Sequence, residues 1–447
     1  MRVLLLVPSA PRTAQPLVQA PIGMLHAASK LRHMGVTVDF LDLRLAKHPH
    51  SELRKLAPTS NIVAVCSSDY ELAQCYPSLD YAKQCIETLR ALIQPPTRIL
   101  CVGSHATVNP KLTLAYTGAD VAIRGEFEWA IPEFVTEWRS SISETETWPA
   151  QGPRIASEAE LASLEAPAFD IAMMDKYFSE GFEDGELRRV KSGLVLGNRG
   201  CPFGCDFCYL ISGRKFRMRP VSSVIRDIAI MVKEHGLRHF FFLDYTFTLS
   251  KKWVHSLCVE LVARSIDVSW LCQTRVDCLD VEVLSAMREA GCKGVWLGVE
   301  SPVLEQRRYL GKGKFGSAEL EDAISVIRSN GMSPLAFVMV GLPNETELTL
   351  RSLNEWLART NVYYAVSTFR RRMGTPLGED LQHSEVVKTL GWGYMDIKTP
   401  FLGESKLEVS KIKWFFDYHE TNPMRVANVL RRNEALGNTA RSYLGDS

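Results

Sequence analysis

Three cysteines, Cys201, Cys205 and Cys208, fall within one short run, Gly197-Asn198-Arg199-Gly200-Cys201-Pro202-Phe203-Gly204-Cys205-Asp206-Phe207-Cys208. Cys-x3-Cys-x2-Cys is one thiolate short of the four that a closed zinc or iron–sulfur site needs. A cube held by three cysteines leaves one iron without a protein ligand, open to a substrate or cofactor. The spacing also needs a compact loop, and Gly200, Pro202 and Gly204 supply the turn. A structural zinc site or three unrelated reduced thiols would use the same residue types. The flanking strands favour the cluster.

Those strands begin near residue 190. Gly193–Asn198 reads as a strand leading into the cysteine loop, followed by strands at His239–Asp244, Val268–Gln273, Gly294–Val299, Pro334–Val340 and Tyr363–Phe369. Helical spacing separates them at Val221–Glu234, Lys252–Arg264, Val281–Ala290, Ala318–Ser329 and Thr346–Ala358. Such an alternating series predicts a partial (β/α)6 barrel with chemistry at the carboxyl-end loops. Polar groups recur there: Asp244 and Tyr245, then Gln273 and Arg275, then Glu300, then Gly341. Arg275 suits a carboxylate, Gln273 and Glu300 suit hydroxyls, and Gly341 lets the backbone approach an adenine. The Arg370–Arg372 run after the sixth strand reads as a solvated rim or an anion clamp. Arg214, Lys215, Arg217 and Arg219 read as a solvated stretch beside the cysteines. Trp270 and Trp296, each inside a strand, read as core.

The first 140 residues form a second α/β series, with strands expected at Arg2–Val7, Thr37–Leu43, Asn61–Ser67, Thr97–Val102 and Ala119–Ile123. Helices are expected at Pro21–Met34, at Leu79–Leu92, and from Gly125 through Trp138. A doubly wound, Rossmann-like parallel sheet follows, and such sheets bind ligands at the carboxyl ends of their strands. The loops to watch are Ser9–Ala14, Ser67–Tyr70, Gly103–Thr107 and Gly125–Glu128. Ser67, Gly103, His105, Gly125 and Glu126 are the candidate contacts. The whole chain then divides into 1–140, a polar linker at 141–189, the barrel at 190–385 and a helical region at 386–447.

Bulk properties exclude several classes. With 52 basic against 51 acidic residues the net charge is +1, which leaves no electrostatic footprint for nucleic acid. No apolar run approaches the roughly 18 residues that span a bilayer. The opening Met1–Val7 run is too short for a signal peptide and is followed by Pro8 and Arg12, so it reads as a strand. Eleven cysteines in 447 residues are too sparse for a secreted disulfide framework. The expected location is the cytoplasm, where thiolates stay reduced.

The cysteine run, with Phe207 before its third cysteine, resembles the signature loop of the radical S-adenosylmethionine superfamily. Phe242-Leu243-Asp244-Tyr245-Thr246-Phe247, Trp270 to Asp277, Gly298-Val299-Glu300-Ser301 and Val340-Gly341-Leu342-Pro343 resemble the strand-end motifs of its cobalamin-binding members. In the first domain, Pro21-Ile22-Gly23, Gly103 to Thr107, Gly125 to Glu128 and Ala166-Pro167-Ala168-Phe169-Asp170 are similar to recurring segments of the same family. The likeness extends to about residue 380. It implies a 4Fe–4S cluster on Cys201, Cys205 and Cys208, with S-adenosylmethionine held near Phe207, Asp244, Gln273, Arg275, Glu300 and Gly341. It also implies cobalamin over Ser67, Gly103, His105, Gly125 and Glu126. Two departures from the family pattern stand out. Pro8–Ala20 holds no histidine, so no axial ligand would come from that loop, and Phe127 replaces the usual glycine.

The implied reaction is methyl transfer from methylcobalamin to an unactivated carbon of a small metabolite, after hydrogen abstraction by a 5′-deoxyadenosyl radical. A flavodoxin- or ferredoxin-type donor would reduce the cluster. Cobalamin-assisted cyclisation or ring rearrangement is the alternative. A methylthiotransferase is a third, but it would need further cluster cysteines, whereas Cys66, Cys75, Cys85 and Cys101 suit helix or strand cores.

Overall fold

The computed structural model describes residues 1–8, 18–68, 79–140, 147–183, 185–383 and 407–426. It forms two compact units. One holds Met1–Tyr177, Tyr209–Asp227 and residues 372–383; the other holds Phe178–Cys208, Ile228–Arg371 and residues 407–426.

The first unit runs β1 (Arg2–Val7), α1 (Ile22–His33), β2 (Thr37–Asp42), α2 (Pro49–Leu56), β3 (Ile62–Cys66), α3 (Leu79–Arg90), β4 (Arg98–Val102), α4 (Ser104–Val108), α5 (Pro110–Thr117), β5 (Val121–Ile123), α6 (Phe127–Ser140), β6 (Thr147–Trp148) and α7 (Glu158–Ala162). All its strands pair in parallel, in the order β2-β1-β3-β4-β5-β6. Uninterrupted apolar strands such as Val3–Leu6 and Ile62–Val65 are closed to solvent, as a sheet covered on both faces requires. Leu4, Leu6, Val63, Val65 and Ile99 pack with Ala82, Ile86 and Leu89 of α3, and Met373 and Leu381 join this core from far along the chain. The strand order turns back between β1 and β3, which makes their carboxyl edge the expected ligand crevice.

Helix α4 occupies a stretch read as a loop, and α2 and α5 fall where no element was expected. They are five to eight residues long, too short for a periodic signal. Helix α5 is set by local chemistry instead: Asn109 Oδ1 accepts from Leu112 N–H at 3.1 Å, Pro110 takes the first turn, and Gly118 closes the end in the left-handed region.

The second unit begins in the stretch read as linker. Residues 141–146 lie outside the described residues, but 147–183 supplies β6, α7 and β7 (Phe178–Glu183). β7 is polar enough to hide its strand character, and it pairs antiparallel with β8 (Glu186–Val195). The chain continues through β9 (Asn198–Arg199), β10 (Arg217–Met218), α8 (Val221–His235), β11 (His239–Phe242), α9 (Lys251–Ala263), β12 (Ser269–Thr274), α10 (Val281–Glu289), β13 (Cys292–Glu300), α11 (Leu304–Tyr309), α12 (Ser317–Ser329), β14 (Ser333–Val340), α13 (Glu347–Thr360) and β15 (Tyr363–Thr368). The main sheet has the order β15-β14-β13-β12-β11-β8-β7. Its six parallel strands match the expected partial barrel, with β7 added at one edge.

Two aromatic layers sandwich this sheet. On the helix side, Phe242 and Phe247 meet Trp270 at 5.2 and 5.4 Å, and Phe247 meets Trp253 of α9 at 5.9 Å. On the other face, Trp296 meets Phe241 at 4.6 Å and Phe337 at 5.5 Å. From the expected C-terminal region the structure describes one helix, Val409–Tyr418, anchored by the buried Ile412 and Phe415. Residues 386–406 and 427–447 of that region lie outside the described residues.

Candidate active site

In the second unit the cysteine loop leaves β9 just past the carboxyl end of β8. Cys201 and Cys205 are buried, Cys208 is half-buried, and all three are free thiols. The loop is drawn tight by Cys208 N–H, which donates to Cys205 O at 3.2 Å. It is clasped from outside: Asp206 N–H donates to Leu310 O at 3.0 Å. Gly311 sits at φ +67°, where a Cβ would come within 2.6 Å of Gly204 O and of the Asp206 carboxylate. Only glycine lets this second turn close on the first.

Two buried cations stand at the thiols. Arg275 donates from Nη1 to Cys205 Sγ at 3.2 Å, from Nε and Nη2 to the Asp277 carboxylate at 2.8 Å each, and stacks 3.9 Å over the Phe203 ring. These bonds use three of the five N–H donors of the guanidinium, one on each nitrogen. Lys312 Nζ donates to Glu300 Oε1 at 2.9 Å and to Gly298 O at 2.6 Å. Burial pushes the Cys205 thiol up, while Lys312 and Arg275 pull it down. Among the described residues no three His, Cys, Asp or Glu side chains converge on one point as a single metal ion requires. A cube makes no such demand, since each thiolate binds its own iron. The donor set, three reduced thiols on one loop beside two cations, fits a cluster.

The other expected residues fall around this loop with specific partners. Asp244 lies at the end of β11, accepts from Gly197 N–H at 3.0 Å, and is pushed up to about 6 by burial. It braces the turn that enters the cysteine loop. Gln273 sits half-buried beside Trp296 in register, and Phe207 is half-buried. Gly341 N–H donates to the carboxylate of Glu345, itself buried and held by Gln306 Nε2 at 3.4 Å. Sequence reasoning missed Lys312, Gly311, Thr246 (Oγ1 3.6 Å from Cys201 Sγ) and Glu345. The signal present was a lysine between two glycines, Gly311-Lys312-Gly313, just past α11.

In the first unit the candidates gather at the carboxyl edge of β3, β4 and β5. Ser67 Oγ donates to Val102 O at 2.9 Å and lies 3.2 Å from His105 Nδ1. Gly103, at φ +114°, lies where a Cβ would come within 2.4 Å of Ser68 O. Gly125 N–H donates to Thr107 Oγ1 at 2.9 Å. The loops Ser9–Ala14 and Asp69–Tyr70 lie outside the described residues. A groove of about 390 Å³ opens between Val108 and Asn109 on one side and Met373, Thr375, Pro376 and Glu379 on the other.

Glu126 is engaged within the protein. It accepts from Arg217 Nη2 at 2.9 Å, Arg217 Nη1 at 3.0 Å and Ala156 N–H at 2.7 Å, with both side chains almost fully buried. The reading of Arg217 and Arg219 as solvated is therefore corrected: Arg219 is buried as well and donates to Asp227 at 2.6 Å. Arg214 and Lys215 are exposed. Cys66, Cys85 and Cys101 are buried in strand or helix cores, and burial pushes the Cys85 and Cys101 thiols up to about 12. Cys75 lies outside the described residues.

Burial, helped by the Arg372 charge, drives His105 down to about 3. The unfolded chain takes up this proton near pH 6.5 while the folded chain does not, so stability falls as pH drops from about 6.5 toward 3. Calorimetry of the metal-free chain is expected to show a slope of about 1.4 kcal/mol per pH unit in that window that His105→Gln removes. Equal slopes in both proteins would contradict a neutral, buried His105.

Residues 195–357 match the family model of the radical SAM superfamily. An uncharacterised methyltransferase of Pyrococcus horikoshii is 26% identical over 416 residues, 88% of this chain and 85% of its own length. An anaerobic magnesium-protoporphyrin IX monomethyl ester cyclase of Rubrivivax gelatinosus is 35% identical over 351 residues, 74% of this chain and 60% of its own, so the chain spans less than two thirds of that relative. The fold is shared with the radical S-adenosylmethionine methyltransferase TsrM of Kitasatospora setae, solved with cobalamin and a 4Fe–4S cluster, at a TM-score of 0.66 and 19% identity over 84% of this chain and 77% of that one.

Proposed function

The chain belongs to the radical S-adenosylmethionine superfamily, and from that premise we propose that it is a cobalamin-dependent methyltransferase acting on an unactivated carbon of a small molecule. The observation that carries the reading is the three-cysteine loop with Arg275 on Cys205 and the Lys312–Glu300 pair buried beside it. When bound, the cluster and S-adenosylmethionine supply the radical that takes hydrogen from carbon, and cobalamin supplies the methyl group.

The chain's own residues hold and tune these groups. Cys201, Cys205 and Cys208 offer three thiolates, and Arg275 favours the anionic form of Cys205. Lys312 donates to Glu300 Oε1 inside a buried pair, leaving the second carboxylate oxygen to accept from a hydroxyl. Glu345 holds the Gly341 turn against an adenine, and Asp244 sets the entry to the cysteine loop. In the first unit Ser67, Gly103, His105 and Gly125 form the edge against which a corrin would rest. Glu126 acts by positioning Arg217 rather than by touching the cofactor.

Cluster potentials span roughly −700 to +450 mV, and cleaving a sulfonium needs the low end, so a flavodoxin- or ferredoxin-type donor is part of the proposal. So is a reducing cytoplasmic setting for an oxygen-sensitive cluster. No helix among the described residues is long and apolar enough to cross a membrane.

The identity to a cyclase supports cyclisation as the second reading. Anaerobic reconstitution with iron, sulfide and hydroxocobalamin separates the two. With S-adenosylmethionine deuterated in its methyl group, a methyltransferase product carries the label and a cyclase product does not. A chain that releases 5′-deoxyadenosine but retains no corrin would defeat both cobalamin readings.

A further inference from the structure

The chain bends sharply where β13 ends. Glu300 stands at φ +63°, and Ser301 N–H donates to Val299 O at 2.8 Å, which closes a three-residue turn around it. The pairing register with β14 shifts at the same point. A glutamate in the left-handed region is strained, so its surroundings must hold it there.

The hold comes from α11. Ser301 is buried and gripped twice: its carbonyl accepts from Arg307 Nη1 at 2.5 Å, and its hydroxyl donates to Gln306 Oε1 at 2.5 Å. Arg307 is fully buried, and its Nη2 donates to Phe315 O at 2.5 Å. Its own carbonyl accepts from Lys312 N–H at 2.8 Å. One residue thus ties down both the turn at Glu300 and the loop that carries Lys312, and these two side chains meet at 2.9 Å. Among the described residues no carboxylate makes an ion pair with Arg307. Burial works against its charge, and the field of Glu319 offsets this only in part. A methionine would fill the same space without burying a cation, so packing alone does not account for an arginine here.

We propose that Arg307 is a positioning residue for S-adenosylmethionine: it keeps Glu300 in its strained turn and Lys312 on one carboxylate oxygen, so that the other oxygen meets the ribose hydroxyls. This rests on the radical-enzyme reading of the second unit. Arg307 itself touches no cofactor and acts through Glu300. Its neighbour Gln306 extends the same hold to Glu345, which fixes the turn at Gly341. Helix α11 therefore sets the distance between the two strand ends expected to grip the nucleoside.

The test titrates the cluster-loaded full chain, by calorimetry, with S-adenosylhomocysteine and with its 2′,3′-dideoxy form, which differ only in the ribose diol. The parent is expected to bind the first about thirtyfold more tightly, as a hydrogen bond to a charged group allows. Arg307→Met should cut that preference to about threefold by weakening the diol-bearing ligand alone. Arg307→Lys keeps the cation but reaches one carbonyl, and should fall between. A residue that only stabilised the fold would lower the yield of loaded protein and leave the ratio at the parent value. An unchanged ratio in the variants overturns the inference while the S-adenosylmethionine reading stands; should Arg307→Met not fold, a parental ratio in Arg307→Lys does the same. A parent that cleaves S-adenosylmethionine but prefers neither ligand removes the role of Arg307 alone. A loaded parent that binds neither ligand and releases no 5′-deoxyadenosine removes the radical-enzyme reading, and the inference with it.

Discussion

Replacing Cys205 with alanine will leave the metal-free chain folded while abolishing both its iron–sulfur absorption and its release of 5′-deoxyadenosine. Two thiolates cannot hold a cube that needs three from this loop. The fold should survive because Arg275, the neighbour that loses an acceptor, keeps its fork on Asp277 and its stack on Phe203. The loop also keeps the Asp206–Leu310 bond. Removing one small buried sulfur costs about 1 kcal/mol, far less than the stability of a domain. Burial holds the Cys205 thiol protonated in the metal-free chain, so cluster uptake must release a proton and should proceed better as pH rises. Absorption spectroscopy after anaerobic reconstitution decides the matter, and an unaltered cluster spectrum in the alanine variant would refute the ligand set.

Replacing Arg217 with methionine should destabilise the first unit by about 3–5 kcal/mol, because it leaves the Glu126 carboxylate buried without its cation. Ala156 N–H alone cannot replace two charge-assisted bonds. Adding Glu126→Gln should recover most of the loss, since a neutral amide beside methionine leaves no buried charge. Urea unfolding of the metal-free chain measures the difference. Trypsin offers a second readout: the exposed Arg214 and Lys215 should be cut faster once their segment loses its anchor. A single variant within about 0.5 kcal/mol of the parent would mean the pair contributes nothing net.

Most strands were legible because their apolar runs and strong stops are local. Leu4–Leu6, Phe240–Phe242 and Val338–Val340 each declare a strand covered on its helix side, and glycines such as Gly35 and Gly291 end the helices before β2 and β13. β6, with two residues, and β7, whose Ser179, Glu180 and Gly181 break the apolar pattern, carry no such signal. Their pairing comes from neighbours already in place. Four basic residues within six positions, Arg214 to Arg219, look like a solvated rim. Two of them are buried because Glu126 and Asp227 happen to face them, 91 and 8 positions away.

The spacing of the cysteine loop needed no tertiary context, since its three cysteines lie seven positions apart at most and Pro202 and Gly204 between them set the turn. The identities of Asp244, Gln273, Arg275, Glu300 and Gly341 as strand-end groups were equally readable from position. What each of them touches was not. Arg275 turned to Cys205 across 70 residues, Glu300 found Lys312 through a left-handed turn at φ +63°, and Glu126 met Arg217. Spacing encodes contacts within a loop, where the backbone leaves few choices. Partners from different strands meet only after strand order and burial have selected them, and a buried charge accepts whichever counter-charge that packing brings within reach.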